Sequence, residues 1–575
     1  MAAVLLTIEI VHAQGTTPPP QGCTPDIYFT QCAFYVLANE DDAGNKPECN
    51  NYGIAWPEIY FGRCNSGTTS IVSGFRFQNV SLPPSQSILA SYIEFTVDGP
   101  YGPNTITANI YGKAALSPNS FTGNSPGDIT ARPTVQPTAT WNIRSTNETF
   151  GMGDQWELGY TRRTSDVTSI LAAIMGQSGW QSNNPVVFLF KNMTSSPTSS
   201  RRVIAKDRLS IPALPPTRLV VRTGQVPQPS VSYYWQSTLV SNSVNILNPL
   251  ILEIKARKEA QRNRPVLVIL DLGATKYSGS FVGTKLVSTT TLVSTSAILD
   301  GAKIYIQEFV ENAGVSSHLL LGVGTNNTGD MMCTTTIAAD HGQAWALMMN
   351  DLQTWITQQG YDAIVQVSGA NDFESWAGKR LKCTIGGNQS RDPSPPQNAL
   401  AWAESYAANT DALLINYGAV DGTAIGSGNS EWGADVYWQL SWGIPEAYPM
   451  PEIYNTLGSS ANQWQELARI SAICTNCLPE QKAADPNWTK GRTMQFLGSL
   501  TNQGELSKST LCSTSGNSPS QGWLQLYRRL VVDVYTDSNY PQYSSDITYE
   551  DQEDQFGQPT SPAQSHETAD TCALP

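Results

Sequence analysis

The spacing of apolar residues changes once along this chain, near residue 224, and the change divides it into two parts. Before it, short runs such as EIYFG (58–62), SYIEFTVDG (91–99) and VVFLFKN (186–192) are separated by clusters of Gly, Pro and Asn. Regularly spaced runs of this kind are typical of antiparallel β-sandwiches. We therefore predict an antiparallel, jelly-roll-like β-sandwich over residues 24–223.

The second part alternates strand-like and helix-like segments. A buried-strand run, RPVLVILDLG (264–273), precedes a helical segment (294–314), and further strands are expected in VYWQLSWG (436–443) and MQFLGSLT (494–501). Such alternation indicates parallel β/α architecture. Roughly six such units favour a closed (β/α) barrel of the TIM type over an open sheet, and we place it at residues 240–537.

Four further segments flank these two domains. Residues 224–239 are rich in Pro and predict an extended linker. Residues 1–13 (MAAVLLTIEIVHA) have the apolar run and cleavage site of a signal peptide, and 14–23 form a flexible lead-in. Residues 538–575 are polar and acidic and are predicted to be disordered.

The same features predict where the protein works. No segment after the leader reaches the roughly 18 apolar residues that a membrane span needs. We therefore expect a secreted protein, extracellular or on the cell surface, without a membrane span. The formal net charge of −14 argues against a nucleic-acid partner, because such a partner requires a basic face.

Ten cysteines favour an oxidising compartment. We expect all of them to be oxidised, in bridges that stay within one domain: two bridges among the first four cysteines, one between Cys333 and Cys383, and two among the last four. The first four are Cys23, Cys32, Cys49 and Cys64, and the last four are Cys474, Cys477, Cys512 and Cys572.

Carboxylates follow two of the predicted barrel strands. Asp271 ends the first strand-like run, and a central run ending in GANDFESW carries Asp372 and Glu374. In extended backbone these two carboxylates share one face and Phe373 takes the other. Because two close carboxylates repel, one of them tends to keep its proton, and the pair can supply an acid and a base. Catalytic groups of barrels lie at such strand ends.

Aromatic and amide side chains follow later predicted strands. Tyr417 ends LLINYG, and Trp438, Gln439 and Trp442 lie in VYWQLSWG. We predict that these four residues bind substrate, since glycoside hydrolysis combines carboxylates with aromatic surfaces that stack on sugar rings. The alternative is that Asp271 caps a loop and the tryptophans belong to the core.

Five short motifs resemble the lysozyme-type barrels of glycoside hydrolase family 25 and their distant relatives: VLVILDLG, VSGANDFESW, LLINYG, VYWQLSWG and ANQWQE. The resemblance covers about 250 residues, an extent typical of one (β/α) barrel. It implies that Glu374 is the general acid, that Asp372 is its partner and that Asp271 orients the substrate.

The first domain resembles β-sandwich modules of secreted bacterial proteins, through ANEDDAGN, GFRFQNVSLP and SDVTSILAAIMGQSGW. The resemblance implies a carbohydrate-binding or adhesive module, of a kind often stabilised by calcium. Glu40, Asp41 and Asp42 form an acidic cluster whose hard oxygen ligands suit Ca²⁺. A charged turn before a strand explains the same three residues.

Two functions of different classes fit these observations. The leading hypothesis is a secreted glycoside hydrolase-like protein that acts on a polysaccharide or peptidoglycan through paired carboxylates and needs no cofactor for catalysis. The alternative is a non-catalytic surface, adhesion or matrix protein that binds a polysaccharide or cell-wall glycan. Convergence of Asp271, Asp372 and Glu374 in one open cleft favours the enzyme.

Overall fold

The computed structural model describes residues 21–551 except 46–50, 65–68, 85, 102–103, 146–155, 196–198, 207–213, 377–380, 384–388, 392–394, 421–431, 474–489 and 504–515. The predicted signal peptide lies outside the described residues. The predicted lead-in is shorter than expected, because the first strand begins at Gly22.

The first domain consists of two antiparallel sheets, which fit the predicted sandwich. One sheet has the order β1-β2-β13-β7-β12-β5, with β10 beside β7, and the other has the order β4-β3-β6-β11-β8-β9. The bounds are β1 (Gly22–Pro25), β2 (Phe29–Tyr35), β3 (Asp42–Asn45), β4 (Tyr52–Gly53), β5 (Glu58–Gly62), β6 (Ser73–Phe77), β7 (Ser87–Tyr101), β8 (Ile106–Gly112), β9 (Ala139–Ile143), β10 (Thr161–Arg163), β11 (Val186–Ser195), β12 (Ser200–Ile204) and β13 (Arg218–Gly224), with helices α1 (Gly127–Thr130) and α2 (Thr168–Met175).

Aromatic side chains fill the space between the two sheets. Phe61 packs edge-on against Phe95, Phe190 and Trp141, with ring centroids 5.3, 5.1 and 5.2 Å away. Period-two alternation along the strands brings these rings to the inner face, and their burial supplies the core of the domain.

The second domain contains a parallel sheet that curves into a nearly closed barrel. Its strands are β14 (Ser230–Tyr234), β17 (Pro265–Tyr277), β20 (His318–Gly329), β21 (Val365–Asp372), β24 (Leu413–Asn416), β25 (Ala447–Pro449), β26 (Gly498–Thr501) and β27 (Tyr543–Tyr549). Neighbours in the sheet follow the chain order, and β27 pairs with β14. Between β25 and β26 a single parallel bridge joins Glu452 to Leu500.

Helices alternate with these strands, as the sequence predicts. They are α3 (Pro249–Ala260), α4 (Thr295–Glu311), α5 (Thr335–Gln359), α6 (Pro396–Ala407), α7 (Ala434–Trp438), α8 (Ser459–Ile473) and α9 (Pro519–Val531). Minor strands are β15 (Thr238–Ser241), β16 (Val244–Leu247), β18 (Val282–Lys285), β19 (Leu292–Ser294), β22 (Leu381–Cys383) and β23 (Gln389–Arg391). Local signals set the helix ends: Ser518 and Gln521 cap α9 reciprocally, and α5 stops at Gly360 in the left-handed region.

The barrel extends beyond its predicted bounds at both ends. Strand β14 lies in the segment 224–239 that was predicted to be a linker, and β27 lies in the segment 538–575 that was predicted to be a disordered tail. Both corrections have one cause. Ser232 and Ser545 are buried, and their hydroxyls lie 2.9 Å apart across the β14–β27 pair. Serines at buried strand positions give these segments a polar composition.

One predicted strand is a helix. Residues 436–443 lie in α7 and in the π-helical turn Gln439–Gly443 that continues it. The buried Lys490 ammonium donates to carbonyl oxygens near the end of this turn, including that of Ile444 at 2.9 Å. The apolar residues of VYWQLSWG are nearly continuous, and a continuous run does not distinguish a buried strand from a buried helix.

The two domains pack directly against each other. Helix α9 contacts strand β7 of the sandwich, and Trp523 and Tyr527 are buried in one cluster with Leu89 and Tyr92. Arg528 Nε donates to the carbonyl oxygen of Leu89 at 2.8 Å. Only residues 225–229 separate β13 from β14, so an apolar interface rather than an extended linker joins the domains.

No helix in the described part of the chain is long and apolar enough to cross a membrane. One disulfide within the first predicted group of cysteines is present. It joins Cys23 to Cys32, which face each other across β1 and β2. Cys64 and Cys333 are also disulfide-bonded. The side chains of Cys49, Cys383, Cys474, Cys477, Cys512 and Cys572 lie outside the described residues.

With Cys23 joined to Cys32, the predicted second bridge of the first group can form only between Cys49 and Cys64. We expect peptide mapping of the unreduced protein to find Cys49 joined to Cys64 and Cys333 joined to Cys383. Reduction should lower the free energy of unfolding, by about 2–4 kcal/mol for each bridge that is lost. A free thiol at any of these positions, or a bridge between the two domains, would contradict the assignment.

Candidate functional site

Three carboxylates meet at the mouth of the barrel, where the carboxyl ends of its strands lie. Asp372 is the last residue of β21, Glu374 follows it by two residues, and Glu452 follows β25. One carboxylate oxygen from each lies within 4.8 Å of the other two. Asp372 is buried, while Glu374 and Glu452 are half-buried. Grouped oxygen ligands of this type can bind a hard divalent cation, and they can equally carry out acid–base chemistry.

The alternation of β21 positions the first two carboxylates. Ala370 belongs to the apolar interior of the barrel, and Asp372 lies on the same face one step further along. Phe373 points the other way and packs edge-on against Trp402, with ring centroids 5.8 Å apart. Gly418 approaches closely, since a Cβ there would lie 2.8 Å from Asp372 Oδ1. A larger residue at 418 would therefore displace the Asp372 carboxylate.

Glu374 is held through its backbone by Asn327. The Glu374 N–H donates to Asn327 Oδ1 at 3.2 Å, and Asn327 Nδ2 donates back to the Glu374 carbonyl oxygen at 2.8 Å. The Ala419 N–H donates to Glu374 Oε1 at 3.2 Å. Trp376, whose indole N–H also donates to Asn327 Oδ1, has a left-handed φ of 52°. Strained backbone of this kind is concentrated at functional sites.

Glu452 is the site residue that sequence reasoning missed. Tyr454 donates its hydroxyl hydrogen to Glu452 Oε1 at 2.6 Å, and the Tyr454 hydroxyl lies 3.3 Å from that of Tyr234. Strand β25 has only three residues, so the run MPEIY does not appear as a strand end. The spacing was the available signal of an extended segment, because Met450, Glu452 and Tyr454 are each two residues apart.

Asp271 lies near the site but outside the group of three carboxylates. It is buried on β17, and its Oδ1 accepts the Gly273 N–H at 2.7 Å. Burial raises the pKa of Asp271 to about 6, against the lowering effect of hydrogen bonds from Gly273 and Tyr417. Burial, followed by the charges of Asp271 and Asp372, raises the pKa of Tyr417 well above its ordinary value. The buried Tyr417 hydroxyl therefore stays protonated, and its one hydrogen is shared between Asp271 and the Thr325 carbonyl oxygen, which lies 2.9 Å from the hydroxyl oxygen.

The predicted substrate-binding residues of VYWQLSWG do not lie at a strand end. Trp438 and Trp442 are buried in the main core of the barrel domain, and Gln439 begins the π-helical turn. The Trp438 indole N–H donates to Ser471 Oγ at 2.9 Å, and that of Trp442 donates to the Gly491 carbonyl oxygen at 3.0 Å. Both indoles are core residues without a face open to a sugar, so the prediction for the two tryptophans is corrected.

The three acidic residues of the sandwich, Glu40, Asp41 and Asp42, lie in different environments. Asp41 is buried, forms an ion pair with Arg76 at 2.6 Å and accepts a hydrogen bond from Gln78. Asp42 begins strand β3 and accepts the Lys206 N–H at 2.9 Å, while Glu40 is exposed. Asp41 and Asp42 therefore have separate protein partners, and calcium binding at residues 40–42 stays a prediction beside the charged-turn interpretation.

Comparisons with known proteins add little. Neither a protein-family model nor a curated protein sequence matches the chain. Among solved structures, the chain is similar to the CBM22-1 and GH10 modules of endo-1,4-beta-D-xylanase 10B from Clostridium thermocellum, complexed with xylohexaose. Identity is 8%, coverage is 88% of this chain and 97% of that chain, and the TM-score is 0.20.

A second solved structure is EndoBT-3987 from Bacteroides thetaiotamicron with a Man5GlcNAc product. Identity is 10%, coverage is 61% of this chain and 70% of that chain, and the TM-score is 0.22. Similarities at these TM-scores carry no argument here, and the resemblance to family 25 stays a prediction.

The buried Asp271 gives a stability prediction with a defined pH dependence. Its folded-state pKa of about 6 lies above the ordinary 3.8, so ionising it costs folding free energy as the pH rises from about 4 to about 6. Asp271→Asn removes that cost and should raise the free energy of unfolding at pH 8 by up to about 3 kcal/mol. The gain should shrink towards zero near pH 4.

Urea unfolding at several pH values measures this effect. Asp300→Asn is the matched control, because the Asp300 side chain is 71% exposed, and this variant should change stability little at any pH. The burial argument would be contradicted if Asp271→Asn raised the free energy of unfolding equally at pH 8 and pH 4, or lowered it at both.

Proposed function

We propose that the protein is a glycoside hydrolase whose active site is the mouth of the barrel. The observation that carries this proposal is the convergence of Asp372, Glu374 and Glu452 from the ends of two strands. Glycoside hydrolysis requires one carboxylic acid to protonate the leaving oxygen and a second carboxylate to attack or to activate water. The rest of the mouth supports the proposal, since Tyr234 and Tyr454 supply hydroxyl groups beside the carboxylates.

Glu374 is the general acid in this scheme. It is half-buried and lies beside Asp372, whose carboxylate stabilises the positive charge that develops on the sugar ring. Glu452 comes from a different strand and is therefore able to approach the sugar from another side. The Tyr454 hydrogen bond favours the ionised form of Glu452, which suits a nucleophile.

The close spacing favours a double displacement. In inverting enzymes the two carboxyl groups stand about 6.5–9.5 Å apart, which leaves room for a water molecule, whereas in retaining enzymes they stand about 5–5.5 Å apart. One oxygen from each of the three carboxylates lies within 4.8 Å of the other two, which is closer to the second arrangement than to the first. Asp271 is a positioning residue here, because it contacts the Tyr417 hydroxyl rather than the group of three.

The sandwich completes the proposal as a glycan-binding module. It packs on the barrel through α9, so a polysaccharide or cell-wall glycan bound to one domain stays close to the other. The disulfides fit a secreted protein that meets such a glycan outside the cell.

Substitution at Glu374 tests the proposal. Glu374→Gln keeps the shape of the side chain and the hydrogen bond from the Ala419 N–H, but removes the transferable proton. On a substrate found by screening a glycan panel, we expect kcat to fall by about 10²- to 10⁴-fold, the size of a general-acid contribution. The melting temperature should change little.

Glu404→Gln on the exposed face of α6 is the matched control and should keep full activity. Full activity of Glu374→Gln would exclude this residue as the acid. Parallel losses of activity and melting temperature would indicate a structural role. A wild-type protein that binds glycans but hydrolyses none would favour the non-catalytic binding protein.

A further inference from the structure

A polar pocket of about 620 Å³ lies in the sandwich, on the second sheet. Its volume is within the range of small-molecule binding sites. Tyr111 packs against a small apolar cluster on that sheet that is separate from the main sandwich core, so the pocket lies on the outer face. The polar side chains that line it include Ser70, Tyr111, Thr130, Thr134, Lys191 and Asn192.

A β-bulge brings two consecutive side chains of β11 to this pocket. In a regular strand Lys191 and Asn192 would point to opposite faces. The pairing of β11 with β8 shifts register between Lys191 and Thr194, and Asn192 adopts a left-handed φ of 51°. Met193 then enters the main core, while Lys191 and Asn192 both line the pocket. Bulges that redirect side chains in this way are frequent at functional sites.

The pocket carries positive charge in a strongly acidic protein. Among the described residues, none that lines the pocket is acidic, although the chain has a net charge of −14. The half-buried Lys191 ammonium donates to the Thr130 carbonyl oxygen at 3.3 Å. Burial, and then the charge of Lys113, lowers the pKa of Lys191, and Arg132 acts on Lys113 in the same direction. A bound anion would offset the repulsion between the Lys191 and Lys113 charges, while Arg132 is already paired with Asp128 at 2.9 Å.

The remaining lining groups suit a sugar ring. Asn192 Nδ2 donates to the Tyr111 hydroxyl at 2.9 Å, and this bond fixes the tyrosine at the edge of the pocket. The Lys191 Nζ lies 5.6 Å from the centre of the Tyr111 ring. An aromatic ring beside a cation, with threonine and serine hydroxyls around it, offers a stacking surface, a charge partner and hydrogen bonds.

We propose that this pocket binds an anionic sugar residue, one that carries a carboxylate or a sulfate group. The proposal rests on the glycan-binding role assigned above to the sandwich and is independent of catalysis in the barrel. Lys191 pairs with the anionic group, Tyr111 stacks on the ring, and Asn192 with Thr134 contacts the sugar hydroxyls.

Calorimetric titration of the full chain tests the proposal. The protein carries Glu374→Gln, so that hydrolysis does not interfere, and is produced without N-glycosylation, because Asn192-Met193-Thr194 is an acceptor sequence. The probes are a galacturonate tetrasaccharide, a sulfated carrageenan tetrasaccharide and the neutral cellotetraose. We expect at least one anionic probe to bind more tightly than cellotetraose, with an affinity that falls as salt rises.

Substitutions locate the binding. Lys191→Gln should lower the affinity for the preferred anionic probe by about 10- to 100-fold, the effect expected when a charge-assisted hydrogen bond is lost. Lys206→Gln, at an exposed lysine outside the pocket, is the control and should bind as before. If Lys191→Gln alters the melting temperature, Lys113→Gln provides a second variant, for which a smaller loss is expected.

The outcomes separate this proposal from the proposed function. Binding of the carboxylated probe alone assigns the pocket to uronates, and binding of the sulfated probe alone assigns it to sulfate esters. Equal or tighter binding of cellotetraose, or unchanged affinity in Lys191→Gln and Lys113→Gln, would overturn the anionic pocket while leaving a glycan-binding sandwich intact. If no probe binds, the proposal of an anionic-sugar pocket is wrong. The proposed hydrolase function is tested separately, by the hydrolysis screen.

Discussion

Closure of the barrel is the constraint on which the rest of the second domain depends. Strands β14 and β27, separated by more than 300 residues, must pair in parallel before the mouth has a defined shape. Small hydroxyl residues make this pairing close. Ser230 Oγ donates to the Ser544 carbonyl oxygen at 3.3 Å, and Ser545 Oγ donates to the Ser230 carbonyl oxygen at 3.2 Å. The buried hydroxyls of Ser230, Ser232 and Ser545 thus all form hydrogen bonds where β14 pairs with β27.

The opposite side of the barrel explains why the third carboxylate lies where it does. Strand β25 is short, and the segment that follows it closes the sheet: the Leu500 N–H donates to the Pro451 carbonyl oxygen and the Ile453 N–H donates to that of Leu500. Glu452 lies between these two bonds. Its position is therefore set by main-chain pairing at the closing seam, and its carboxylate points to the same mouth as Asp372.

The sequence predicted the fold where elements are long and apolar. Strands β17 and β20 each contain a long apolar run, and helix α4 between them has Ser294 as its N-cap. The parallel architecture and the place of Asp372 and Glu374 therefore follow from pattern alone. Strands β14, β25 and β27 are short or rich in serine, and only tertiary pairing identifies them as strands. Glu452 therefore went unrecognised.

Two other segments show why local composition is an incomplete guide to structure. VYWQLSWG is apolar on nearly all sides because it is buried in the core of the barrel domain. The periodicity of apolar residues cannot distinguish a strand from a helix in such a segment. The acidic run at 40–42 looks like a metal site in sequence, but Asp41 and Asp42 are committed to separate partners, Arg76 and the Lys206 backbone. Neither partner is adjacent in the chain, so local composition does not reveal them.

The configuration of the first-formed sugar product is the most direct test of the central claim, that these three carboxylates form one hydrolytic site. Proton NMR of the anomeric signals, recorded during hydrolysis of a glycan that the protein cleaves, measures it before mutarotation. The spacing of Asp372, Glu374 and Glu452 predicts that the product keeps the anomeric configuration of the substrate. A product of inverted configuration would contradict the account, because inverting enzymes typically hold their two carboxyl groups about 6.5–9.5 Å apart.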